Sequence, residues 1–182
     1  MNLICIPFAY EENMNSGVNV SIKGKGKIEI YLKNACVALI SAKYYNPDSD
    51  VALVTNFGRW NIPEEFLSIF DKWEIKVMEI PFDQFRFQGS YTWALAFYKL
   101  CVLKKLSCMK YESICYMDTD VYIQGSFDAI WTECRQNIML YDKYIKIGKI
   151  PVDEKVWKTF RLNRIPFLDK IKKMLRNTIM KK

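Results

Sequence analysis

The chain has 182 residues and contains no histidine. This absence excludes a histidine general base and imidazole metal ligands within the chain. Proton transfer and metal binding would therefore fall to Asp, Glu or Asn side chains, or to a partner. The six cysteines form no CxxC pair and no zinc-like cluster, and several stand within apolar runs, which is typical of reduced core cysteines.

Signals for membrane insertion and export are also lacking. No apolar run approaches the ~20 residues that a bilayer-spanning helix needs. The first residues, Met-Asn-Leu-Ile-Cys-Ile-Pro, carry no basic leader. Together with the reduced cysteines, these absences lead us to expect a cytoplasmic protein, with any membrane contact peripheral.

The net charge of +7 is unevenly distributed. Residues 142–182 contain 13 Lys and Arg against 4 Asp and Glu, whereas residues 1–141 have slightly more acids than bases. We therefore expect a body over residues 1–141 and a short basic C-terminal extension over residues 142–182.

Within the extension, apolar side chains recur at helical spacing with Lys and Arg between them: Phe167, Leu168, Ile171, Met174, Leu175 and Ile179. A basic amphipathic helix of this kind suits an anionic membrane surface. It suits equally well a terminal helix that packs on its own domain and keeps its charged face in water. Aromatic side chains are sparse here, so we do not expect nucleic acid as a partner.

The body alternates predicted strands with predicted helices. Apolar runs predict strands at residues 3–8, 51–55, 75–80, 113–117 and 138–140, and helical spacing predicts helices at residues 28–45, 63–73 and 91–106. This alternation predicts an α/β fold in which helices cover both faces of a mostly parallel sheet.

Parallel sheets of this class bind ligands beyond the carboxyl ends of their strands. Phe8, Ala9 and Tyr10 stand at the end of the first predicted strand, and Asn56 follows the second. Phe8 and Tyr10 suit either a core position or stacking on a ligand. Asn56 suits either a cap or turn position or contact with a ligand.

The fourth predicted strand ends abruptly in Asp118-Thr119-Asp120. Two carboxylates at the end of a buried strand are costly unless positive charge lies between them. In an extended chain, side chains at i and i+2 point to the same side, about 6–7 Å apart. That spacing suits a divalent cation bound by one carboxylate, with the other free to hold a neighbouring ligand.

The segment YMDTDVYI, residues 116–123, is followed by GSFDAIW, residues 125–131. Together they resemble the DxD region of GT-A glycosyltransferases, most closely the family 8 type that uses nucleotide-diphospho-sugars. The preceding ALAFYKL, residues 94–100, is similar to a segment of that family in which Lys99 is often Arg. The resemblance covers residues 1–141 and implies a Rossmann-like α/β/α sandwich. Asp128 within it is expected to be an acid at a helix N-terminus.

The resemblance also implies a donor site. Asp120, with Asp118, would hold Mn²⁺ or Mg²⁺ against the two phosphates of a nucleotide sugar, most simply a UDP-sugar. Asp118 would alternatively bind the ribose hydroxyls or a metal-bound water, beside Thr119. Lys99 would contact phosphate as a point charge without the fork of an arginine, unless it is only a solvated helix residue.

The remaining donor contacts implied are stacking of Phe8 and Tyr10 on the base, with Ala9 and Asn56 lining the same site. The sugar would pass to a glycan or lipid-linked acceptor, as in the synthesis of cell-surface polysaccharides. No residue is assigned as a catalytic base or nucleophile.

The sequence departs from the family in two ways. The family usually has a histidine as third metal ligand; here Asp142, Asp153 or Glu154, or water and phosphate oxygens, would replace it. The family's acceptor half, with its Asn-Ala-Gly-type segment, has no counterpart in the 62 residues after Asp120. A catalytically silent binding or scaffold subunit, acting with a partner subunit, is therefore an alternative.

A second alternative is a haloacid-dehalogenase-like phosphatase. Asp118-Thr119-Asp120-Val121 fits the first motif of that family, in which the first Asp is the nucleophile. That motif normally stands near the N-terminus, whereas here most of the body precedes it.

Overall fold

A computed structural model of the chain describes residues 1–11, 25–86 and 94–134. The chain divides into two compact units, Met1–Arg135 and Gln136–Lys182. All described residues belong to the first unit. The strand predicted at residues 138–140 and the basic extension lie outside the described residues.

In the described part of the chain, four strands form one sheet in which every neighbouring pair is parallel. They are β1 (Leu3–Phe8), β2 (Asp50–Thr55), β3 (Lys76–Glu79) and β4 (Ile114–Tyr116). The order across the sheet is β3-β2-β1-β4. The predicted α/β fold with a parallel sheet is confirmed for the described residues.

Within the described residues, the strands are accompanied by four α-helices: α1 (Lys25–Tyr45), α2 (Glu64–Lys72), α3 (Tyr98–Leu106) and α4 (Asp128–Cys134). The helix expected over residues 91–106 is shorter than predicted, because the chain over Ala94–Phe97 forms a tighter 3₁₀ turn before α3. Such turns are common at helix N-termini, and aromatic residues such as Phe97 and Tyr98 are weaker helix formers. Within the described residues, no helix is long and apolar enough to cross a membrane.

The core lies on both faces of the sheet. Ile4, Ile6 and Phe8 of β1 pack on the face covered by α1 and α2. Leu3 and Cys5 alternate with them and pack on the face covered by α3. Since successive strand residues point to opposite faces, β1 is apolar throughout because both faces are covered. The first unit therefore has three layers.

The sheet contains a topological switch point between β1 and β4. The chain runs from β1 outwards through β2 to β3, then returns to place β4 on the other side of β1. In open parallel sheets, ligands bind in the crevice that such a reversal opens beyond the carboxyl ends of the strands. The residues that follow β1 and β4 flank this crevice.

Pro7 sets the depth of the crevice. Leu3 donates its N–H to Ser113 O (2.9 Å) and Cys5 accepts from the N–H of Met117 (2.9 Å), so alternate residues of β1 bond to β4. Pro7 is next in that series and has no N–H to donate. The pairing of β1 with β4 accordingly ends at Cys5 and Tyr116, and the two chains separate there.

Candidate functional site

Asp118 and Asp120 lie directly beyond β4, and both are exposed. Thr119 and Asp120 form a turn, in which Val121 N–H approaches Asp118 O at 3.4 Å. The extended backbone assumed from the sequence is therefore wrong for this segment. Its physical reason is Pro7, which ends the β1–β4 ladder and leaves the chain after Met117 free to turn.

Lys99 and Asp118 form an ion pair. Lys99 is the second residue of α3, so the helix that covers one face of the sheet carries this cation to the end of β4. The structure thus brings together two of the residues predicted from the sequence. Both side chains are about half exposed, at 43% and 60%, so water weakens the pair and another partner can replace either group at small cost.

Asn56 joins the ends of β1 and β2. Its Oδ1 accepts the N–H of Tyr10 (2.9 Å) and its Nδ2 donates to Tyr10 O (3.1 Å). Both hydrogen-bonding groups of the amide are therefore used on the backbone of Tyr10. This favours the structural interpretation of Asn56, and it fixes the direction in which the chain leaves β1.

The two aromatic residues at the end of β1 differ in exposure. Phe8 is 8% exposed and packs against Tyr31 (5.5 Å between ring centroids) and Phe57 (5.9 Å). Phe8 therefore takes the core alternative. Tyr10 is half-buried against the same face of the core, and Ala9 packs on the α3 face.

Two buried polar side chains, Ser41 of α1 and Asn46 directly after that helix, hold the segment that follows the carboxylates, and sequence reasoning missed both roles. Ser41 Oγ accepts the N–H of Ile123 (3.0 Å) while it donates to Ala38 O (2.8 Å). Asn46 Oδ1 accepts the N–H of Phe127 (2.7 Å) while its Nδ2 donates to Ala42 O (3.1 Å). These contacts fix residues 123–127 against α1 and so position the turn at Asp118–Asp120 from its C-terminal side.

An open groove of about 370 Å³ runs along α1 beside this segment. Its lining is Val37, Ile40, Ser41, Tyr44, Tyr45 and Tyr122. Asp118 and Asp120 are not among these residues, so the groove is separate from the carboxylates.

The loop after β3 supplies charges that the sequence did not single out. Arg86 forms an ion pair with Glu11, the residue after Tyr10. The Tyr98 hydroxyl donates to Ile80 O (2.8 Å), and this ties the end of β3 to α3. Burial raises the pKa of Tyr98 well above its ordinary value, so the hydroxyl stays protonated.

All six cysteines are free thiols. Burial, and then the neighbouring Cys134, raises the pKa of Cys115 in β4 to about 11. Burial likewise raises the pKa of Cys36 to about 11. These thiols are protonated at neutral pH and are therefore poor nucleophiles.

Among the described ranges, no three Asp, Glu or Cys side chains converge as a metal site. Asp118 and Asp120 are thus two oxygen donors that need others to complete a shell. Asp142, Asp153 and Glu154, the predicted substitutes for a histidine ligand, lie outside the described residues. Asp128 is the first residue of α4, which confirms it as a helix N-terminal acid.

Comparison of the chain with protein-family models, with curated proteins and with solved structures returned no significant match. The function is therefore inferred from the residues and geometry of the chain itself.

Proposed function

We propose that the chain is a metal-dependent glycosyltransferase that binds a nucleotide-diphospho-sugar, most simply a UDP-sugar, and transfers the sugar to a glycan or lipid-linked acceptor. One observation carries the proposal: the DxD carboxylates follow β4 at the switch point of a parallel sheet, where this class of fold binds its ligands.

The available donors fit Mn²⁺ or Mg²⁺. Both are hard cations that prefer oxygen ligands, and Mg²⁺ commonly combines one or two carboxylates with water and phosphate oxygens. Asp120 is the exposed carboxylate that would hold the metal, and Asp118 would support it once Lys99 turns away. The bound metal supplies charge neutralisation for the leaving diphosphate.

The protein's own residues would bind and orient the donor. Lys99 gives a cation beside Asp118 that can move to a phosphate oxygen. Asn56 holds the backbone of Tyr10 at the other wall of the crevice. Ser41 and Asn46 hold Ile123 and Phe127, in the segment that follows the carboxylates.

Calorimetric titration with UDP tests the proposal. We expect binding that requires Mn²⁺ or Mg²⁺ and disappears with a chelator. Asp120→Ala should weaken metal-dependent UDP binding by about tenfold or more, the usual scale for losing a charged ligand. Asp48→Ala is the matched control. Asp48 is an exposed acid in the turn before β2, at the amino ends of the strands and away from the carboxylates. Binding of UDP by Asp120→Ala at the parent's affinity would refute the metal role.

A second measurement separates an enzyme from a silent subunit. Release of UDP from UDP-sugars by the purified chain, alone and with glycan acceptors, is expected of a transferase. Metal-dependent binding without any turnover would instead support the silent binding subunit.

A further inference from the structure

Arg86 contacts the segment that follows β1, although it belongs to the loop after β3. Its ion pair with Glu11 places the guanidinium beside the end of β1, two strands away from the strand that precedes it. The loop over residues 81–86 therefore crosses the carboxyl edge of the sheet towards the switch point. Arg86 is half exposed there.

An aromatic ring fixes the guanidinium. Arg86 lies over the Phe82 ring at 5.3 Å from its centroid. Phe82 is 6% exposed and packs edge-on against Tyr98 at 5.4 Å. An arginine stacked on a ring keeps the edges of its fork available for an oxyanion, and stacking reduces the entropy lost on binding.

The backbone of the loop is strained and held in place. Phe85 has φ of 58°, a left-handed conformation that is rare for a bulky residue and turns the chain into Arg86. The Cys101 thiol of α3 donates to Pro81 O (3.3 Å) and approaches Asp83 Oδ1 (3.4 Å). Strain of this kind persists where surrounding contacts enforce it, and it clusters at sites that grip ligands.

We propose that Arg86 is a second phosphate-binding cation of the same site, which engages the diphosphate of the nucleotide donor. The inference rests on the proposed function and deepens it: Arg86 supplies the bidentate fork that Lys99 lacks. Glu11 holds the guanidinium in place until the ligand arrives. Exchange of partner is favourable because an exposed carboxylate pair is worth little, whereas a forked arginine–phosphate contact is among the strongest hydrogen-bonded pairs.

Opposite effects of two substitutions test this role. In the presence of Mn²⁺, Arg86→Gln should weaken UDP binding by about tenfold. Arg86→Lys keeps the charge without the fork, so its affinity for UDP should lie between those of the parent and Arg86→Gln. Glu11→Gln should strengthen UDP binding, since it removes the competing carboxylate. If Arg86 only holds the loop through Glu11, both substitutions would instead change UDP binding in the same direction, and the proposal would be wrong.

Two controls complete the experiment. Arg59→Gln removes the same charge from a surface pair with Asp71 (2.7 Å) on α2, and it should leave UDP binding unchanged. Uridine has no phosphate, so the parent and Arg86→Gln should bind it with the same weak affinity. Parent-like binding of UDP by Arg86→Gln overturns the role of Arg86 and leaves the proposed function standing. Absence of metal-dependent UDP binding in the parent chain would refute both the role of Arg86 and the proposed function.

Discussion

Asp50 connects three strands at the edge of the sheet opposite the carboxylates. Its Oδ2 accepts hydrogen bonds from Lys76 Nζ (2.6 Å) at the start of β3 and from the Tyr111 hydroxyl (2.8 Å) before β4. Burial alone would raise the pKa of Asp50, but the bonds from Lys76 and Tyr111 outweigh it and the pKa is lowered. Burial, and then the bond to Asp50, raises the pKa of Tyr111 to about 12.

The lowered pKa predicts how stability depends on pH. The contribution of Asp50 is fully present above its unfolded-state pKa of about 3.9 and is lost as the pH falls through the lower folded-state pKa. Asp50→Asn should reduce the free energy of unfolding at neutral pH by about 1–2 kcal/mol and flatten the acid limb of the stability curve. Urea unfolding between neutral and acidic pH measures both. An acid limb as steep as the parent's would contradict this role.

Single residues also mark the limits of sequence reasoning at this scale. Asp118 and Asp120 were predicted to lie beyond the carboxyl end of a strand, because an apolar run followed by acids is a local pattern in the sequence. Arg86 was not predicted, since its partner Glu11 stands 75 residues away and is reached only when the loop crosses the sheet. Asn56 was noticed for its position, but its bonds to Tyr10 depend on the pairing of β1 with β2.

At the scale of elements, α1 does more than cover the sheet. Ser41 and Asn46 are buried at 5% and 6% exposure, and each satisfies a backbone N–H of the segment after the carboxylates. A buried donor left without a partner costs about 1–3 kcal/mol. The helix, through Ser41, and the residue after it, Asn46, therefore fix the segment after the carboxylates by hydrogen bonds as well as by packing.

Ser41→Ala tests this role of α1. Ile123 would keep a buried N–H without an acceptor, so we expect a loss of about 1–3 kcal/mol in unfolding free energy. We also expect faster amide exchange over residues 121–127. Ser68→Ala on α2 is the matched control, because Ser68 is exposed and its loss should change neither measurement. Unchanged exchange at residues 121–127 in Ser41→Ala would show that packing alone holds the segment.

The bounds of most elements followed from the sequence. The strands at 3–8 and 51–55 were predicted to within one residue, because four or more apolar residues in a row are typical of strands buried on both faces. The start of α3 was not, since its 3₁₀ turn over Ala94–Phe97 shares the helical spacing of the residues that follow. Polar residues of α1 such as Ser41 fall on its apolar face, which periodicity alone treats as noise.

For the whole molecule, the alternation of strands and helices predicted the class of fold but not the order of the strands. Only the return of β4 to the far side of β1 creates the crevice, and this depends on contacts between residues over a hundred positions apart, such as Leu3 and Ile114. The distribution of charge along the chain, by contrast, follows directly from the sequence. It separates a near-neutral body from the basic residues 142–182, which lie outside the described part of the chain.

The basic extension carries a prediction that belongs to the full chain. If residues 166–182 form the expected amphipathic helix, the protein should co-sediment with vesicles that contain anionic lipid, and salt should weaken this binding. Replacing Lys172, Lys173 and Arg176 with Gln should reduce it, by about 1 kcal/mol per charge removed. Neutral vesicles serve as the control. Equal binding by the parent and the triple variant would favour the alternative, in which the helix packs on its own domain.

Pro7 has a kinetic consequence for the crevice that it opens. Pro7 lacks an N–H whether or not a ligand is bound. The end of the β1–β4 pairing at Cys5 and Tyr116 therefore needs no ligand to produce it. Association with a ligand at this position therefore requires exchange of side-chain partners, which is fast, and no slow rearrangement of the sheet. The rate of capture would then be set by diffusion and charge, and the lifetime of the complex by how firmly the side chains close around it.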